Sequence, residues 1–390
     1  MRKTLTMLLA ATLATQPALA AERKAAAAAA ERPLPSAIGY TPQDDDERGI
    51  WMEVNELERK YKDNKLIVRD PALNTYVRGV LCKTVGDDKC SAARIYIVNT
   101  PQFNAGMYPT GMMVVNTGLM LRMRDEAQFA AVLGHEFAHF EKQHTLRMFK
   151  KMRADTDAMM WMSFLVGALA LLATLDSIFS FSRDMETEAD MESLAYLQKS
   201  PYSTDSAYKI WEHLRAEQDA TALARKQKSR KDKNGGFFAT HPNSGERMAY
   251  LKARSEAVVN PDGSPHSDSF RAAMQAWWPK LVDDQVKLND FGGSEYLLDA
   301  IAAGQWTPDL LYARGELYRS RGQAGDMDAA AGFYRQAIEG GSQLPETWRG
   351  LGLAEIRAGR NDEGRAALRE YLARKPDAGD KGIISMMIGG

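Results

Sequence analysis

The spacing of apolar residues along the chain predicts most of its elements. Between residues 45 and 80 apolar positions recur every three or four residues, with a break at Pro71, which predicts helices. Residues 94–98 alternate as a strand does, and residues 112–116 form a second predicted strand, with a loop over 101–111 between them. The pattern predicts a mainly α protein that contains a small β-sheet.

A further apolar, helix-favouring run covers residues 127–133 and predicts a buried helix rather than a surface one. Asp125 and Gln128, three residues apart, have the spacing of an N-terminal capping pair. We therefore expect this helix to begin near Asp125 and to continue through the polar residues at 135–139.

Those polar residues read His-Glu-x-x-His, with His135, Glu136 and His139. Residues four apart on a helix lie on one face, so both imidazoles can reach a single metal ion. Glu136 is then beside the metal, where it can take a proton from a metal-bound water. Zinc suits two neutral imidazoles, one carboxylate and an open water position. The alternative is a surface helix that carries these three residues by chance.

A site of this kind needs a third protein ligand. Residues 158–175 contain no acid, and the next acidic cluster holds Glu186 and Asp190 on one helical face. Glu186 is the candidate ligand, and Asp190 the candidate acceptor for the second ring N–H of a ligand histidine. Glu188 and Glu192 are predicted to point elsewhere and to be solvated. The alternative for Glu186 is an ordinary surface acid.

Four motifs together resemble the HtpX/CAAX-prenyl-endopeptidase (type 1) family of gluzincin metallopeptidases. They occur in the family's order and spacing, and the resemblance covers roughly residues 45–255: residues 114–120, 135–139 and 182–190, and Thr240-His-Pro242 with Arg247. The resemblance implies that His135, His139 and Glu186 are zinc ligands and that Glu136 is the general base. It also implies that the strand at 112–116 borders the active-site groove, and it is strongest for a secreted bacterial branch with C-terminal tetratricopeptide repeats.

Three residues outside the ligand set have open roles. His241 is predicted either to stabilise the developing oxyanion opposite Glu136 or to occupy the open zinc position in a resting state, and the alternative is an ordinary loop histidine. His144 lies five residues after His139, off the ligand face, so it is predicted to be a surface residue or a neighbour of the ligands. Arg247 is predicted to be a structural ion-pairing residue.

The first 20 residues predict a secretory signal peptide, with a charged start, a short apolar run and a small-residue cleavage site. An N-terminal membrane anchor is the alternative, but the run is too short to span a bilayer. Residues 21–44 are rich in Ala and Pro and predict a tether. Loss of two basic residues with the signal changes the formal charge from −1 to about −3, which argues against nucleic acid as a partner.

The chain has two cysteines, Cys82 and Cys90, and in an oxidising compartment the intervening turn allows a disulfide. Two metal-binding thiols are the alternative. The apolar stretch at 158–181 lies between the predicted histidine ligands and Glu186, so a single membrane crossing would separate them. It is predicted to form a helical hairpin, either buried in the core or lying on a membrane surface.

After a predicted linker at 256–268, residues 269–380 predict a helical tetratricopeptide-repeat domain. Two copies of the repeat pattern are present, the first with about three extra residues near 322–326. The fold expected is therefore a gluzincin-type metallopeptidase domain of helices and a small sheet over 45–255, followed by an α-solenoid.

The function predicted from these features is a periplasmic zinc endopeptidase that hydrolyses misfolded or misassembled envelope proteins. Its partners are then such clients, held by the repeats, and outer-membrane assembly machinery. Two alternatives remain open: a chaperone or assembly factor with latent protease activity, and a protease acting at a membrane surface.

Overall fold

The computed structural model describes residues 37–155, 181–229, 231 and 244–389. The predicted signal peptide, most of the tether, the apolar stretch apart from Phe181, and His241 lie outside these residues. The described part is mainly helical, and its elements in chain order are α1 (Asp45–Asp63), α2 (Pro71–Val85), α3 (Asp87–Cys90), β1 (Arg94–Val98), β2 (Ala105–Met107), β3 (Met112–Asn116), α4 (Thr117–Arg122), α5 (Glu126–Glu141), α6 (His144–Asp155), α7 (Arg183–Gln198), α8 (Ser206–Ala224), α9 (Ser244–Ala257), α10 (Ser267–Met274), α11 (Trp278–Val286), α12 (Phe291–Ala302), α13 (Pro308–Arg321), α14 (Asp326–Glu339), α15 (Pro345–Arg357), α16 (Asn361–Arg374) and α17 (Lys381–Gly389).

The strands form a small mixed sheet in the order β1-β3-β2. β1 runs parallel to β3, with Val98 opposite Asn116, and β2 runs antiparallel to β3, with Ala105 opposite Val115. The two strands predicted at 94–98 and 112–116 are therefore confirmed. Every residue of β3 is buried, as the central position of this strand requires.

β2 corrects two expectations. Residues 101–111 are expected to form a loop throughout, but residues 105–107 form the strand β2. A three-residue strand with Gly106 at its centre is too short to show the alternation that predicts a strand. Because β2 takes the edge of the sheet, β3 is central, and the expectation that residues 112–116 border the groove is wrong. The bordering edge is β2, which contacts α5.

Helix α5 is buried on nearly every side, in agreement with its apolar sequence. The carboxylate of Asp125 accepts a hydrogen bond of 2.7 Å from the backbone N–H of Gln128, which confirms the capping pair. Gly134 allows α7 to pack closely, since a Cβ there would lie 3.3 Å from Ser193 Oγ. The Ser193 hydroxyl donates to the Ala131 carbonyl at 2.8 Å, so the two helices are also joined by a hydrogen bond.

Helices α10 to α12 share the hydrophobic core of the residues before them, through Phe270, Trp278 and Leu297 among others. The segment 256–268, predicted to be a linker, is held by Asn260, whose side-chain amide donates to one carbonyl in the last turn of α7 and to two in the segment after it. The domain boundaries predicted at either end of this segment stay predictions.

A buried ion pair joins these later helices to the sheet region. Arg122, in α4, donates to both carboxylate oxygens of Glu217 in α8, at 2.9 and 2.6 Å. The same guanidinium donates to the side-chain carbonyl of Gln285 in α11 at 3.1 Å and to the backbone carbonyl of Gly118 at 2.9 Å. Arg122 is 2% exposed and Glu217 is 1% exposed, so each charge depends on the other for compensation.

Helices α13 with α14, and α15 with α16, form two helical hairpins. The ring of Tyr334 fits between Gly315 and Gly350, where an added Cβ would lie 2.6 and 2.5 Å from the ring. Its hydroxyl donates to the carboxylate of Glu316 at 2.6 Å. The extra residues predicted near 322–326 form the turn between α13 and α14 and the start of α14. The assignment of these hairpins as tetratricopeptide repeats stays a prediction.

Cys82 and Cys90 are joined by a disulfide that links the last turn of α2 to α3. This agrees with the expected pairing and replaces the alternative of two metal-binding thiols. None of the helices among the described residues is both long and apolar enough to span a bilayer. Because the apolar stretch at 158–180 lies outside them, its two predicted placements stay predictions.

Candidate metal centre

The three side chains predicted to bind a metal lie together between α5 and α7. His135 and His139 share one face of α5, and their Nε2 atoms are 3.0 Å apart. The carboxylate of Glu186, in the first turn of α7, lies 3.7 Å from Nε2 of His135 and 3.6 Å from Nε2 of His139. Their exposed fractions are 7%, 1% and 2%, so the cluster is almost fully withdrawn from solvent.

Local sequence fixes both helices at this site. The Ser182 hydroxyl caps α7 by accepting from the backbone N–H of Met185 at 3.3 Å, which places Glu186 at the end of the first turn. Phe181 stacks on the imidazole of His139, with ring centroids 4.0 Å apart and planes 19° apart. The ring of His139 is thereby held in one orientation.

The donor set fits a small divalent cation. In a tetrahedral zinc site with bonds of about 2.0–2.2 Å, ligand atoms lie roughly 3.3–3.6 Å from one another. The separations between the three donors here, 3.0 to 3.7 Å, are close to that range. Two imidazole nitrogens and a carboxylate oxygen whose lone pairs converge in a buried space repel one another unless a cation lies between them. The structure thus provides a cation site of nitrogen and oxygen donors, and zinc is the ion such a set favours.

Asp190 orients the first of the histidines. Its Oδ1 lies 2.9 Å from Nδ1 of His135, so the proton on Nδ1 faces the carboxylate and Nε2 keeps its lone pair for a metal. Arg247 donates to Asp190 from Nε at 2.9 Å, its Nη1 lies 2.7 Å from Glu186 Oε2, and it stacks over Trp211 at 4.3 Å. Burial favours a raised pKa for Asp190, but the charge of Arg247 and the hydrogen bonds from Arg247 and His135 outweigh burial and hold this pKa below its usual range. The prediction that Arg247 is an ion-pairing residue is confirmed.

A second chain of contacts orients the other histidine. His144 is completely buried, and its Nδ1 lies 2.8 Å from Nδ1 of His139. On its other side, Nε2 of His144 lies 3.1 Å from Glu188, which also accepts a 2.8 Å hydrogen bond from Arg147. Burial lowers the pKa of His144 to about 4, so its ring is neutral at pH 7 and carries one N–H. If that proton faces Glu188, Nδ1 of His144 accepts from His139, whose Nε2 is then available to the metal.

This chain refines one expectation and decides another. Glu188 lies outside the donor cluster, as predicted, and its side chain is 40% exposed, but its carboxylate also pairs with His144 and Arg147. Of the two roles open to His144, the neighbour of a ligand is confirmed. Helical spacing does not show this contact, since α5 ends before it: Gln143 has a positive φ of 53°, which reverses the chain and returns His144 to the site.

Glu136 lies beside the donor cluster and is 4% exposed. It lines a cavity together with His135, Asn104 and Ala105, so the residue borders a space that the start of β2 also borders. A carboxylate in this place is positioned for proton transfer to and from a group held next to the metal. His241 lies outside the described residues, and both of its predicted roles stay predictions.

The His-Glu-x-x-His motif on α5 and the Glu186 carboxylate on α7, buried together around one cation site, define a centre of the metallopeptidase type. Comparison with known sequences agrees with this class. Residues 71–255, a little under half of the chain, match the model of peptidase family M48, and this match supports a metal-dependent peptidase. The match supports the expected metallopeptidase family, while the secreted branch and the repeats stay predictions.

Several known proteins are similar to the chain. It is 22% identical over 280 residues to a candidate beta-barrel assembly-enhancing protease of Vibrio cholerae, a match that covers 67% of this chain and 54% of that protein. It is 30% identical over 173 residues to the mitochondrial metalloendopeptidase OMA1 of Arabidopsis thaliana, covering 42% and 32%. It is 23% identical over 161 residues to the beta-barrel assembly-enhancing protease of Escherichia coli K12, covering 37% and 33%. The chain thus spans about a third to a half of the length of these relatives.

Proposed function

We propose that this chain is a zinc-dependent endopeptidase that hydrolyses unfolded or misassembled proteins of the bacterial envelope. The observation that carries the proposal is the buried set of His135, His139 and Glu186 with Glu136 beside it, within the region that matches peptidase family M48. Zinc is proposed over other divalent ions because two neutral imidazoles and one carboxylate leave an open position of the kind found in catalytic zinc sites.

The protein's own groups are assigned the proton transfers of the reaction, in a site that is withdrawn from bulk solvent. When bound, a zinc ion supplies Lewis acidity, which polarises the scissile carbonyl and lowers the pKa of an attacking water. Glu136 accepts a proton from that water while the water oxygen bonds to the carbonyl carbon. Glu136 then delivers the proton to the amide nitrogen as the C–N bond breaks. Asp190 and His144 keep the two histidine rings oriented throughout.

The edge strand offers a way to hold a substrate of any sequence. β2 pairs with β3 on one side in the described sheet, and its other side lies at the sheet edge near α5. An extended peptide that adds to this edge is bound through main-chain hydrogen bonds, and this mode suits unfolded clients. Its scissile bond would then pass the cavity that Glu136 lines.

The cellular setting proposed here rests on the sequence and the relatives. The signal-like first 20 residues support a periplasmic location, and two of the relatives are named for beta-barrel assembly. We propose that the helical hairpins of α13 to α16 hold client segments or the outer-membrane assembly machinery. Contact of the apolar stretch at 158–181 with a membrane surface belongs to the same proposal.

The proposal is tested with the chain from residue 21, with and without Glu136→Gln. Bound metal is measured by elemental analysis, and digestion of reduced casein is followed over time. We expect near-stoichiometric zinc in both proteins and cleavage only in the wild type. Zinc in both with no cleavage in either would favour an assembly factor with a latent site, and His241→Ala would be tested next for release of activity. Absence of zinc from the wild type would overturn the proposal.

A further inference from the structure

Another cavity lies at the end of α5 that is remote from the metal centre. It has a volume of about 510 Å³, and its wall comes from the segment between α4 and α5 and from α8, α10, α11 and α12. Asp125, the cap of α5, lines this cavity, whereas His135 lies further along the same helix, roughly 15 Å away at about 1.5 Å per residue. The cavity is therefore separate from the metal centre, and it is large enough for a small molecule.

The positive charge of Arg124, in the wall of this cavity, lacks an acidic partner. Among the described residues, its Nε is buried without a hydrogen-bond partner, and no ion pair includes Arg124. The guanidinium lies over the ring of Tyr296, 5.3 Å from the ring centroid. Burial lowers the pKa of Arg124 although attraction from Tyr296 and Glu217 opposes the shift, and an arginine stays charged at neutral pH. A partly buried cation with so little compensation favours the binding of an anion.

His213, on α8, supplies a neutral hydrogen-bond donor to the same cavity. Its Nδ1 is buried, and no described residue offers this nitrogen a hydrogen bond. Burial lowers the pKa of His213 to about 4, and the charges of Arg124 and Lys209 act in the same direction, so the ring carries one N–H at pH 7. Because a buried N–H without an acceptor is costly, the proton belongs on Nε2. His213 can then donate to an anion held by Arg124 without adding a charge of its own.

The charges around the cavity indicate an anion with a single negative charge. The cations in its wall are Arg124, Lys209 and Arg271, and the acids are Asp125 in the wall and Asp205, which pairs with Lys209. Three positive charges against two negative ones leave an excess of one. A carboxylate balances this excess, whereas a phosphate group, with a charge of about −1.5 to −2 at pH 7, exceeds it.

Much of the remaining wall is apolar. Phe270, Trp278 and Ile301 contribute to it from α10, α11 and α12, with Ala300 next to Ile301. Phe270 and Trp278 also belong to the hydrophobic core, which holds this part of the wall in place. Such a surface binds hydrocarbon by excluding water. The cavity thus combines a basic group, a neutral donor and an apolar wall.

We propose that this cavity binds a carboxylate carried on an apolar body, with the carboxylate at Arg124 and His213 and the body against Phe270, Trp278 and Ile301. Two sources share this chemistry, the carboxyl terminus of a peptide and a small organic acid. An occupant would join the segment before α5 to α8 and α12 and would stabilise their contact. The site goes beyond the proposed function, because binding in it does not require peptide hydrolysis.

The test compares two matched pairs of probes by isothermal titration calorimetry of the chain from residue 21. The first pair is phenylpropanoate and phenylpropanamide, and the second is acetyl-Ala-Ala-Leu with a free or an amidated carboxyl terminus. Since a carboxylate can also bind zinc, phenylpropanoate is titrated before and after metal removal with EDTA, and the peptides only after it. We expect the acid to bind at least tenfold more tightly than its amide in one pair or both, with no effect of EDTA. The pair that shows the preference identifies the source.

Two variants test whether the probe binds in this cavity. Arg124→Gln removes the positive charge and is expected to weaken binding of the acid at least tenfold while leaving the amide unchanged. Ala300→Phe fills part of the cavity and is expected to weaken binding of both acid and amide. The matched control is Arg59→Gln, which removes an exposed guanidinium on α1 that pairs with Glu56, and it is expected to change neither affinity. Since Arg124→Gln alters a partly buried group and can impair folding, Ala300→Phe serves as the independent variant.

Several outcomes would overturn the carboxylate site. Equal affinities for acid and amide in both pairs, or no binding of any probe, would contradict it. Binding of the acid that both variants retain, or that EDTA abolishes, would place the probe elsewhere. Inorganic phosphate is titrated in parallel, and tighter binding than that of the carboxylates, lost in Arg124→Gln, would make the cavity a phosphate site instead. None of these outcomes concerns the cleavage of casein, so the proposed peptidase function is judged separately.

Discussion

At the scale of single residues, the contacts behind the histidine ligands decide how well the site binds a metal. His139 depends on His144, whose Nδ1 lies 2.8 Å away and whose other nitrogen faces Glu188. His144→Leu removes the acceptor for the Nδ1 proton of His139. We expect the affinity for zinc to fall about 10- to 100-fold, as it does when other metal ligands lose such partners. Competition with a chromogenic chelator measures this affinity directly.

The matched variant is His144→Gln, whose amide has an oxygen to accept from His139 and an N–H to donate to Glu188. The Gln variant is expected to retain most of the zinc affinity that the Leu variant loses. If His144 only filled space, the two variants would not differ in this way. Equal losses in the Leu and Gln variants would show that His144 acts through packing alone.

Asp125, the cap of the metal-bearing helix, gives a prediction about pH. Burial raises the pKa of its carboxyl from 3.8 to about 6, against hydrogen bonds from Gln128 that oppose the rise. Because the folded-state pKa lies above the unfolded one, the protonated carboxyl stabilises the fold below about pH 4, and this contribution is lost as the pH rises through about 6. Asn keeps the capping oxygen without the charge.

We therefore expect the free energy of unfolding of Asp125→Asn, relative to wild type, to increase by about 2 kcal/mol between pH 4.5 and 8. Urea unfolding of the two proteins across this range measures the difference, and groups common to both cancel. A difference that stays constant with pH would mean that the carboxyl of Asp125 remains ionised throughout.

At the scale of elements, the disulfide fixes the turn between α2 and α3. Cys90 is 3% exposed, and its neighbour Lys89 pairs with Glu141 at the end of α5 at 2.7 Å. Closing a loop of this length is expected to stabilise the fold by about 2–3 kcal/mol. Replacing Cys82 and Cys90 together with Ser should lower the free energy of unfolding by that amount, and a reducing agent should then have no further effect on the variant. A loss from reduction that also occurs in the double variant would contradict this assignment.

The same scale shows what sequence patterns predict here and what they do not. The helix of 126–141 and its cap at Asp125 follow from local composition, and both were predictable because they depend on neighbours in the chain. Glu186 was identifiable because the preceding stretch has no acid to compete with it. β2 was missed because three residues carry no periodic signal, and its pairing with β3 is decided by tertiary contacts.

Contacts at the site were missed for a related reason. The pairing of Glu188 with His144 joins residues 44 apart in the chain, and it depends on the reversal at Gln143. Spacing along a helix predicts which residues share a face, but it predicts nothing across a helix end. The roles of His144 and Glu188 therefore emerge only from the fold.

At the scale of the whole molecule, the peptidase region and the helices after it share one core. Apolar residues of α10, α11 and α12 belong to the same cluster as those of α2 and α5. The ion pair of Arg122 and Glu217, with Gln285, joins α4 and α8 to α11 inside this core. We expect these parts to unfold together rather than as separate units.

The last prediction tests this coupling through the ion pair. Arg122→Leu leaves the carboxylate of Glu217 buried without its partner and is expected to cost about 3–5 kcal/mol of stability. Adding Glu217→Leu removes the orphaned charge and should restore much of that loss. Urea unfolding followed by tryptophan fluorescence and by far-ultraviolet circular dichroism should give one coincident transition in each protein, shifted to lower urea in Arg122→Leu. Two separate transitions in the wild type would show instead that the later helices fold independently of the metal centre, and an unshifted midpoint in Arg122→Leu would show that the pair contributes little to the shared core.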